Sequence, residues 1–300
     1  MGDTINVLRY SMQLQLEPIV KNVFIYAMIK PELDKIKLVA VDMDGTLLDD
    51  EKNISRRTKE CLGQLIRRGI DVVIITGRSY EALKPYKDEL GLETPVICYN
   101  GSQTVDGKTG KILRDEVLPD ESSRYIIDLA RRENIHVQAY RNGTLYFERR
   151  RPESDHYENH VNLKGEIVDF DSMNPLNFTK MMYVGSHERL AGVMRKVEAD
   201  IGDKTSVMFS NVEFLEFMKK GISKGEALNL LLSDMGIDPA DTIAFGDGDN
   251  DVSLLEAAGI GVAMGNASEA VKAAADFVTD SNNEDGIARF LSSLCFIKRI

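Results

Sequence analysis

The chain has 300 residues, 43% hydrophobic and 28% charged, with a formal net charge of −11 and a pI near 5.0. This composition supports the core of one large domain or two modest ones and excludes a disordered chain. The acidic balance argues against nucleic acid as the main partner, since phosphate-backbone binding draws on surplus Lys and Arg. A small anionic substrate stays allowed where a lysine or a metal reverses the local field.

Residues 1–35 read as a peripheral extension, with Met28 an alternative start. They lack the cationic start and small-residue cleavage site of a signal peptide, and the apolar run Val23–Ile29 is too short to span a bilayer, so no membrane partner is expected. From Ile36 onward, short apolar runs alternate with amphipathic helices, the pattern of βαβ units and a mostly parallel sheet. Strands are predicted at Lys37–Asp42, Val72–Thr76, Val96–Tyr99, Thr242–Gly246, Ile260–Met264 and Phe277–Thr279. Ser55 caps a helix predicted to bury Cys61, Leu62, Leu65 and Ile66 and to stop at Gly69; Ser223-Lys224-Gly225-Glu226 has capping-box spacing before Ala227–Met235.

Between about Leu118 and Phe217 the rhythm changes. Ile135–Tyr140, Thr144–Glu148, Lys180–Val184, Thr205–Phe209 and Glu213–Phe217 alternate apolar and polar residues as half-buried strands do, with helical patterns at Glu121–Arg132 and Glu188–Ile201. This reads as an α+β module with an antiparallel sheet, inserted into the parallel-sheet domain. The three cysteines, Cys61, Cys98 and Cys295, form no Cys-x-x-Cys pair, which indicates neither a zinc knuckle nor a disulfide framework and suits a reducing cytoplasm. His156 and His160 have i,i+4 spacing, which suits a metal only if that segment is helical.

The chemistry concentrates at strand ends. Asp42-Met43-Asp44-Gly45-Thr46 directly follows Leu38–Val41, so two carboxylates sit at the carboxyl end of a buried strand, where open α/β sheets gather their ligands. Carboxylates supply both hard oxygen ligands and nucleophilic oxygen. Val73–Arg78 is a second such strand, ending in the Thr76 hydroxyl and Gly77. Lys224 falls in the first turn of a capped helix, where the dipole disfavours a cation unless an anion lies nearby. The acidic loop Gly246–Asp251 is not an EF-hand: counting from Asp247, the sixth position is Val252 and the twelfth Ala258, and the loop follows a strand. Two acidic clusters at two strand ends fit one Mg²⁺ site, because that ion takes a few carboxylates, waters and a phosphate oxygen.

The ordered set Asp42-Met43-Asp44-Gly45-Thr46, Thr76-Gly77, Lys224 and Gly246-Asp247-x-x-Asn250-Asp251 closely resembles the motifs of the haloacid dehalogenase superfamily, within it the Cof-like sugar-phosphate phosphatases. Gly261–Ala267 resembles the stretch that follows in Cof-like members, and the match runs from about Ile36 to Leu291. The resemblance implies a Rossmann-like α/β core formed by residues 36–117 and 218–300, with a large α+β cap at 118–217. It implies a Mg²⁺-dependent phosphatase of small phosphorylated metabolites, with Asp42 the nucleophile and Asp44 the acid and base. Mg²⁺ is implied on the Asp42 carboxylate, the Asp44 backbone carbonyl and Asp247, with Asp251 ordering them from behind. Thr76, backbone N–H groups near Met43 and Gly77, Lys224 and Asn250 are implied to hold the phosphoryl oxygens, and Asp249 to be a solvated loop acid. The acid role predicts a raised Asp44 pKa. In the cap, Tyr140, Arg141, Tyr146 and the loop Arg149–His160 are candidates for facing the leaving group, and linkers near Pro119 and Lys219–Gly221 for cap motion. A phosphomutase of the same superfamily and a receiver-like signalling protein are the rival readings; the latter fits poorly, since receivers are far shorter and lack the acid two positions after the phosphorylated Asp.

Overall fold

In a computed structural model that describes residues 35–161 and 163–294, the wholly buried strand β1 (Leu38–Val41) lies between β12 (Thr242–Gly246) and β2 (Asp71–Ile74). Most of the expected N-terminal extension, including Val23–Ile29, and Cys295 lie outside the described residues. Beyond β12 the sheet continues through β13 (Ile260–Ala263) to β14 (Phe277–Val278), every pairing parallel. Alternation along β1 explains its unbroken apolar run. Val39 and Val41 pack with Cys61, Leu62 and Leu65 of the helix Arg56–Arg67 and with Phe290 and Leu291 of Gly286–Ser293. Leu38 and Ala40 face the opposite layer, with Leu228, Leu231 and Leu232 of the helix Lys224–Met235. A strand covered on both faces keeps no polar side, so its acids can appear only where it ends.

Two expectations for this region need correction. Ile66 is 36% exposed, because it turns off the packed stripe in the last turn of its helix. The predicted strand at Val96–Tyr99 forms β3 (Val96–Cys98), joined to the parallel sheet by a bridge between Ile75 and Ile97 but paired antiparallel with β4 (Gln103–Val105), which pairs with β5 (Ile112–Asp115). The chain reverses after Cys98 through Tyr99, Asn100 and Gly101, all at positive φ (50°, 55° and 110°).

The inserted module carries a six-stranded sheet built from β6 (His136–Arg141), β7 (Thr144–Phe147), β8 (Glu166–Ile167), β9 (Lys180–Val184), β10 (Thr205–Asn211) and β11 (Phe214–Lys219). Their order is β10-β11-β9-β6-β7-β8, antiparallel save for the β7–β8 pair. One face packs Met181, Tyr183, Leu215 and Phe217 with Ile126 and Leu190 of the helices Asp120–Glu133 and His187–Ile201. The other face turns Tyr140, Met182 and Phe214 toward the first domain, in one apolar cluster with Tyr99 and Leu83.

Arg149–His160, expected as a loop, contains the helix Pro152–Val161. Pro152 in the first turn, with Glu153 and Asp155 beside it, are helix-start signals; a weak apolar stripe concealed them. His156 and His160 do share a helix, yet His156 Nε2 lies 3.1 Å from Glu213 Oε2, and the residues grouped to hold a metal, among those described, are Asp42, Asp247 and Asp251. Among the described residues no helix is long and apolar enough to cross a membrane.

The Ser55 hydroxyl accepts from the Thr58 N–H at 3.1 Å and caps its helix. Ser55→Ala is expected to lower stability by about 1 kcal/mol, read as a lower denaturant midpoint.

Candidate active site

The carboxyl ends of β1 and β12 deliver the two acidic clusters to one place. Asp42, Asp247 and Asp251 each offer an oxygen within 4.8 Å of the others. Lys224, buried at the first position of its helix, donates to Asp42 Oδ1 at 2.7 Å and to Asp251 Oδ1 at 2.6 Å. Its ordinarily unfavourable place at a helix N-terminus is thus offset by two carboxylates, which hold the ammonium charged and its pKa above the usual lysine range despite burial. Ser223 completes the helix start, accepting from the Glu226 N–H at 3.1 Å.

Each acid has a different setting. Asp251 is fully buried, and its Oδ2 accepts the Asp247 and Gly248 N–H groups at 3.0 and 2.9 Å, so it shapes the loop that carries Asp247. Asp247 Oδ1 accepts from the Thr46 hydroxyl at 2.7 Å and Oδ2 from Asn266 at 3.2 Å. Asn266 also donates to the Gly45 carbonyl at 2.9 Å, tying the β1 turn to the β12 loop. Gly45 is required twice over: its φ is +80°, and a Cβ there would collide with the Asp247 carboxylate.

Burial pushes the Asp42 carboxyl well above the usual range, reinforced by the Asp251 charge and opposed by Lys224. Burial likewise raises Asp247 to about 6, against the Thr46 hydrogen bond and with the Asp251 charge adding. Three buried or half-buried carboxylates face one ammonium, so the cluster carries uncompensated negative charge on hard oxygen donors. That is the charge and donor chemistry a divalent ion such as Mg²⁺ would satisfy.

Asp44 departs from expectation. The raised pKa expected for it is not what its surroundings produce. Burial does push the carboxyl up, but Arg78 grips it with Nε at 2.7 Å and Nη2 at 2.6 Å, Lys52 adds Nζ at 2.8 Å, and together they bring it down to about 2. The Asp44 side chain stays 42% exposed. Asp249 is exposed, with Ser268 at 3.4 Å, as a solvated loop acid.

A cavity of about 600 Å³ opens above these groups, between the parallel-sheet domain and the inserted module. Asp42, Thr76, Gly77, Lys224 and Asn250 line its floor; the Met43 side chain instead points into the core, leaving only its backbone to serve the site. Thr76 Oγ1 accepts the Arg78 N–H at 3.1 Å. Of the cap candidates, Tyr140 lines the cavity, its hydroxyl 3.1 Å from that of Tyr157, and His160 lines it too. Arg141 instead donates to the Pro175 carbonyl, and Tyr146 packs against the far face of the cap sheet.

Sequence reasoning passed over Lys52, Arg78, Asn100, Asn266, Lys180 and Glu216. Arg78 directly follows Thr76-Gly77, Asn266 lies in the Gly261–Ala267 stretch, and Asn100-Gly101 is a turn signal, so each had a readable trace. Lys180 and Glu216 had none: strand alternation assigns such residues to solvent, whereas both are 3% exposed and paired at 2.8 Å.

Comparison with known proteins agrees with this geometry. A family model described as haloacid dehalogenase-like hydrolase matches residues 39–291. Phosphatase YwpJ of Bacillus subtilis is 32% identical over 290 residues, covering 86% of this chain and 100% of that protein. Pyridoxal phosphate phosphatase YbhA of Escherichia coli is 30% identical, covering 86% and 98%. The crystal structure of a haloacid dehalogenase-like hydrolase from Bacteroides thetaiotaomicron superposes with a TM-score of 0.79 at 32% identity, covering 86% and 98%.

Two outcomes test the geometry. Gly45→Ala displaces Asp247 and should weaken Mg²⁺ binding ~10-fold or more in a calorimetric titration; an unaltered affinity would count against Asp247 as a ligand. Because Asp44 titrates near 2 in the folded chain and near 3.8 when unperturbed, its contribution to stability is complete above 3.8 and lost as pH falls toward 2. In Arg78→Ala, a carboxyl-carbon NMR titration should find Asp44 moved back toward its ordinary value, with a smaller loss of stability across that acid window.

Proposed function

This chain belongs to the haloacid dehalogenase-like hydrolases, and on that premise we propose that it is a Mg²⁺-dependent phosphatase of small phosphorylated metabolites, sugar phosphates foremost, working through an aspartyl-phosphate. The observation that carries the reading is the convergence of Asp42, Asp247 and Asp251 on one another, with the Lys224 ammonium bound to Asp42 and Asp251 at the floor of the cavity. A cavity of about 600 Å³ accepts a metabolite and is too small for a polymer. Its polar lining, with Lys180, Glu216, Tyr157 and Asn100 among aromatic rings, suits a hydroxylated leaving group.

In this reading Asp42 Oδ attacks phosphorus, and the bond to the leaving alcohol oxygen breaks as the new P–O bond forms. Nucleophile and phosphate are both anionic; at about 4 Å and an effective dielectric near 20, each like-charge pair costs roughly 4 kcal/mol. Lys224 offsets part of that repulsion. Mg²⁺, held by Asp42, Asp247 and the Asp44 carbonyl with Asp251 behind them, would supply the remaining charge and polarise the phosphoryl oxygens. Thr76, the Gly77 N–H and Asn250 complete the cradle.

Asp44 serves the alcohol and then the water. Arg78 and Lys52 hold it ionised in the arrangement described here, which suits removal of a proton from water in the second half-reaction. For the first half-reaction its carboxyl must carry a proton, which calls for those two cations to turn instead to the arriving phosphoryl oxygens. The water oxygen then bonds to phosphorus as the P–O bond to Asp42 breaks, its proton passes to Asp44, and inorganic phosphate leaves with the Asp42 carboxylate restored.

With Mg²⁺ and a generic phosphomonoester, the wild-type chain should release inorganic phosphate, and Asp42→Asn should lower kcat by roughly three orders of magnitude or more. Chelation should abolish turnover and added Mg²⁺ restore it. Phosphoryl return to substrate with no free phosphate would identify a mutase and overturn the hydrolase assignment.

A further inference from the structure

A line of four polar side chains runs from the cap to the loop that carries Asn250. Lys180 Nζ, in β9, donates to Glu216 Oε1, in β11, at 2.8 Å; Asn100 Nδ2 donates to Glu216 Oε2 at 3.4 Å; and Asn250 Nδ2 donates to Asn100 Oδ1 at 2.8 Å. Lys180, Glu216 and Asn100 are each 4% exposed or less, so their polar groups are satisfied chiefly by one another. Asn100 is held in place. It sits at φ 55° in the reversal after β3, and its Oδ1 lies only 3.0 Å from where a Cβ would stand on Gly77. The carboxamide thus fills the space that glycine leaves beside the phosphate-binding loop.

Polarity propagates along this line in one sense only. An ammonium can only donate and an ionised carboxylate only accept, so the Lys180–Glu216 pair obliges Asn100 to present its NH₂ to the cap and its carbonyl to the loop. Asn250 must then present its own NH₂ to Asn100, which directs both amide N–H donors by a rule set two residues away. Resting on the phosphatase reading, we propose that Asn100 and Glu216 are positioning residues: the cap ion pair fixes the orientation of the Asn250 carboxamide and so keeps a donor available to the phosphoryl group. The cap thereby acts on the part of the site common to all substrates, in addition to whatever it does for the leaving group.

Glu216→Gln is nearly isosteric, but with its carbonyl held by Lys180 its NH₂ faces Asn100 and reverses the sense of the line; Asn100→Ala cuts the line. Each variant should lose about tenfold in kcat/KM and in inhibition by inorganic phosphate, measured with Mg²⁺ present. The double variant should lose no more than Asn100→Ala alone, because both act through one path. The fold-loss should be the same for phosphomonoesters with unrelated leaving groups. Additive losses, or a loss that depends on the leaving group, would overturn the proposal and make Glu216 a specificity residue instead. The side-chain amide NMR signals of Asn250, assigned through Asn250→Asp, provide a readout free of turnover: they should shift in Glu216→Gln in a chain whose melting temperature is retained, and unmoved signals refute the line. Failure of the phosphatase reading is distinct, since it shows as a wild-type chain without turnover whatever the amide signals do.

Discussion

The rest of the site depends on a single buried ammonium. Lys224 lies between Asp42 and Asp251 with essentially no access to water, and it is the reason two acids from different strands can approach each other at all. Removing one partner from such an arrangement leaves charge stranded in a poor solvent, which costs far more than an exposed ion pair would gain. The cation remains outnumbered, and the remaining deficit marks the place where a divalent ion fits. Stability and chemistry therefore use the same charges: the fold tolerates the crowding of carboxylates because one lysine is always present and a second cation can be recruited.

Around that centre the fold supplies fixed distances. The parallel register of β1 with β12 sets Val41 against Phe245, so the residues that follow each strand emerge side by side. Asp251 spends both oxygens on structure, one on Lys224 and one on the backbone of its own loop, and leaves Asp247 to face the neighbouring turn. Asn266 and Thr46 brace Asp247 from two sides. A carboxylate braced on both oxygens would lose little entropy on taking up a metal ion.

Much of this was legible in the sequence because strand ends carry a strong local signal. An apolar run that stops at an acid, a hydroxyl or a glycine announces both the strand and the edge where it opens, and Asp42, Thr76 and Asp247 were found that way. Lys224 was legible as an anomaly, a cation where a helix dipole opposes it. What escaped has a common cause: tertiary contact overrides a local rule. Asp44 is surrounded by acids in sequence but by Arg78 and Lys52 in space. Glu216 and Lys180 occupy positions that alternation gives to water, yet another domain covers them. The strand at Val96–Cys98 looked like its parallel neighbours until the left-handed turn at Tyr99–Gly101 reversed it.

The apolar cluster shared by the two domains has a mechanical consequence. Tyr99 and Tyr140 pack in a tilted pair, with ring centroids 5.2 Å apart across the boundary, and Met182 and Phe214 join the same packing as Leu83. Prising the halves apart would wet those rings at a cost of about 25 cal/mol for each Å² exposed. Such a joint resembles a clasp more than a free hinge, because the packed rings favour the arrangement in which the two halves touch.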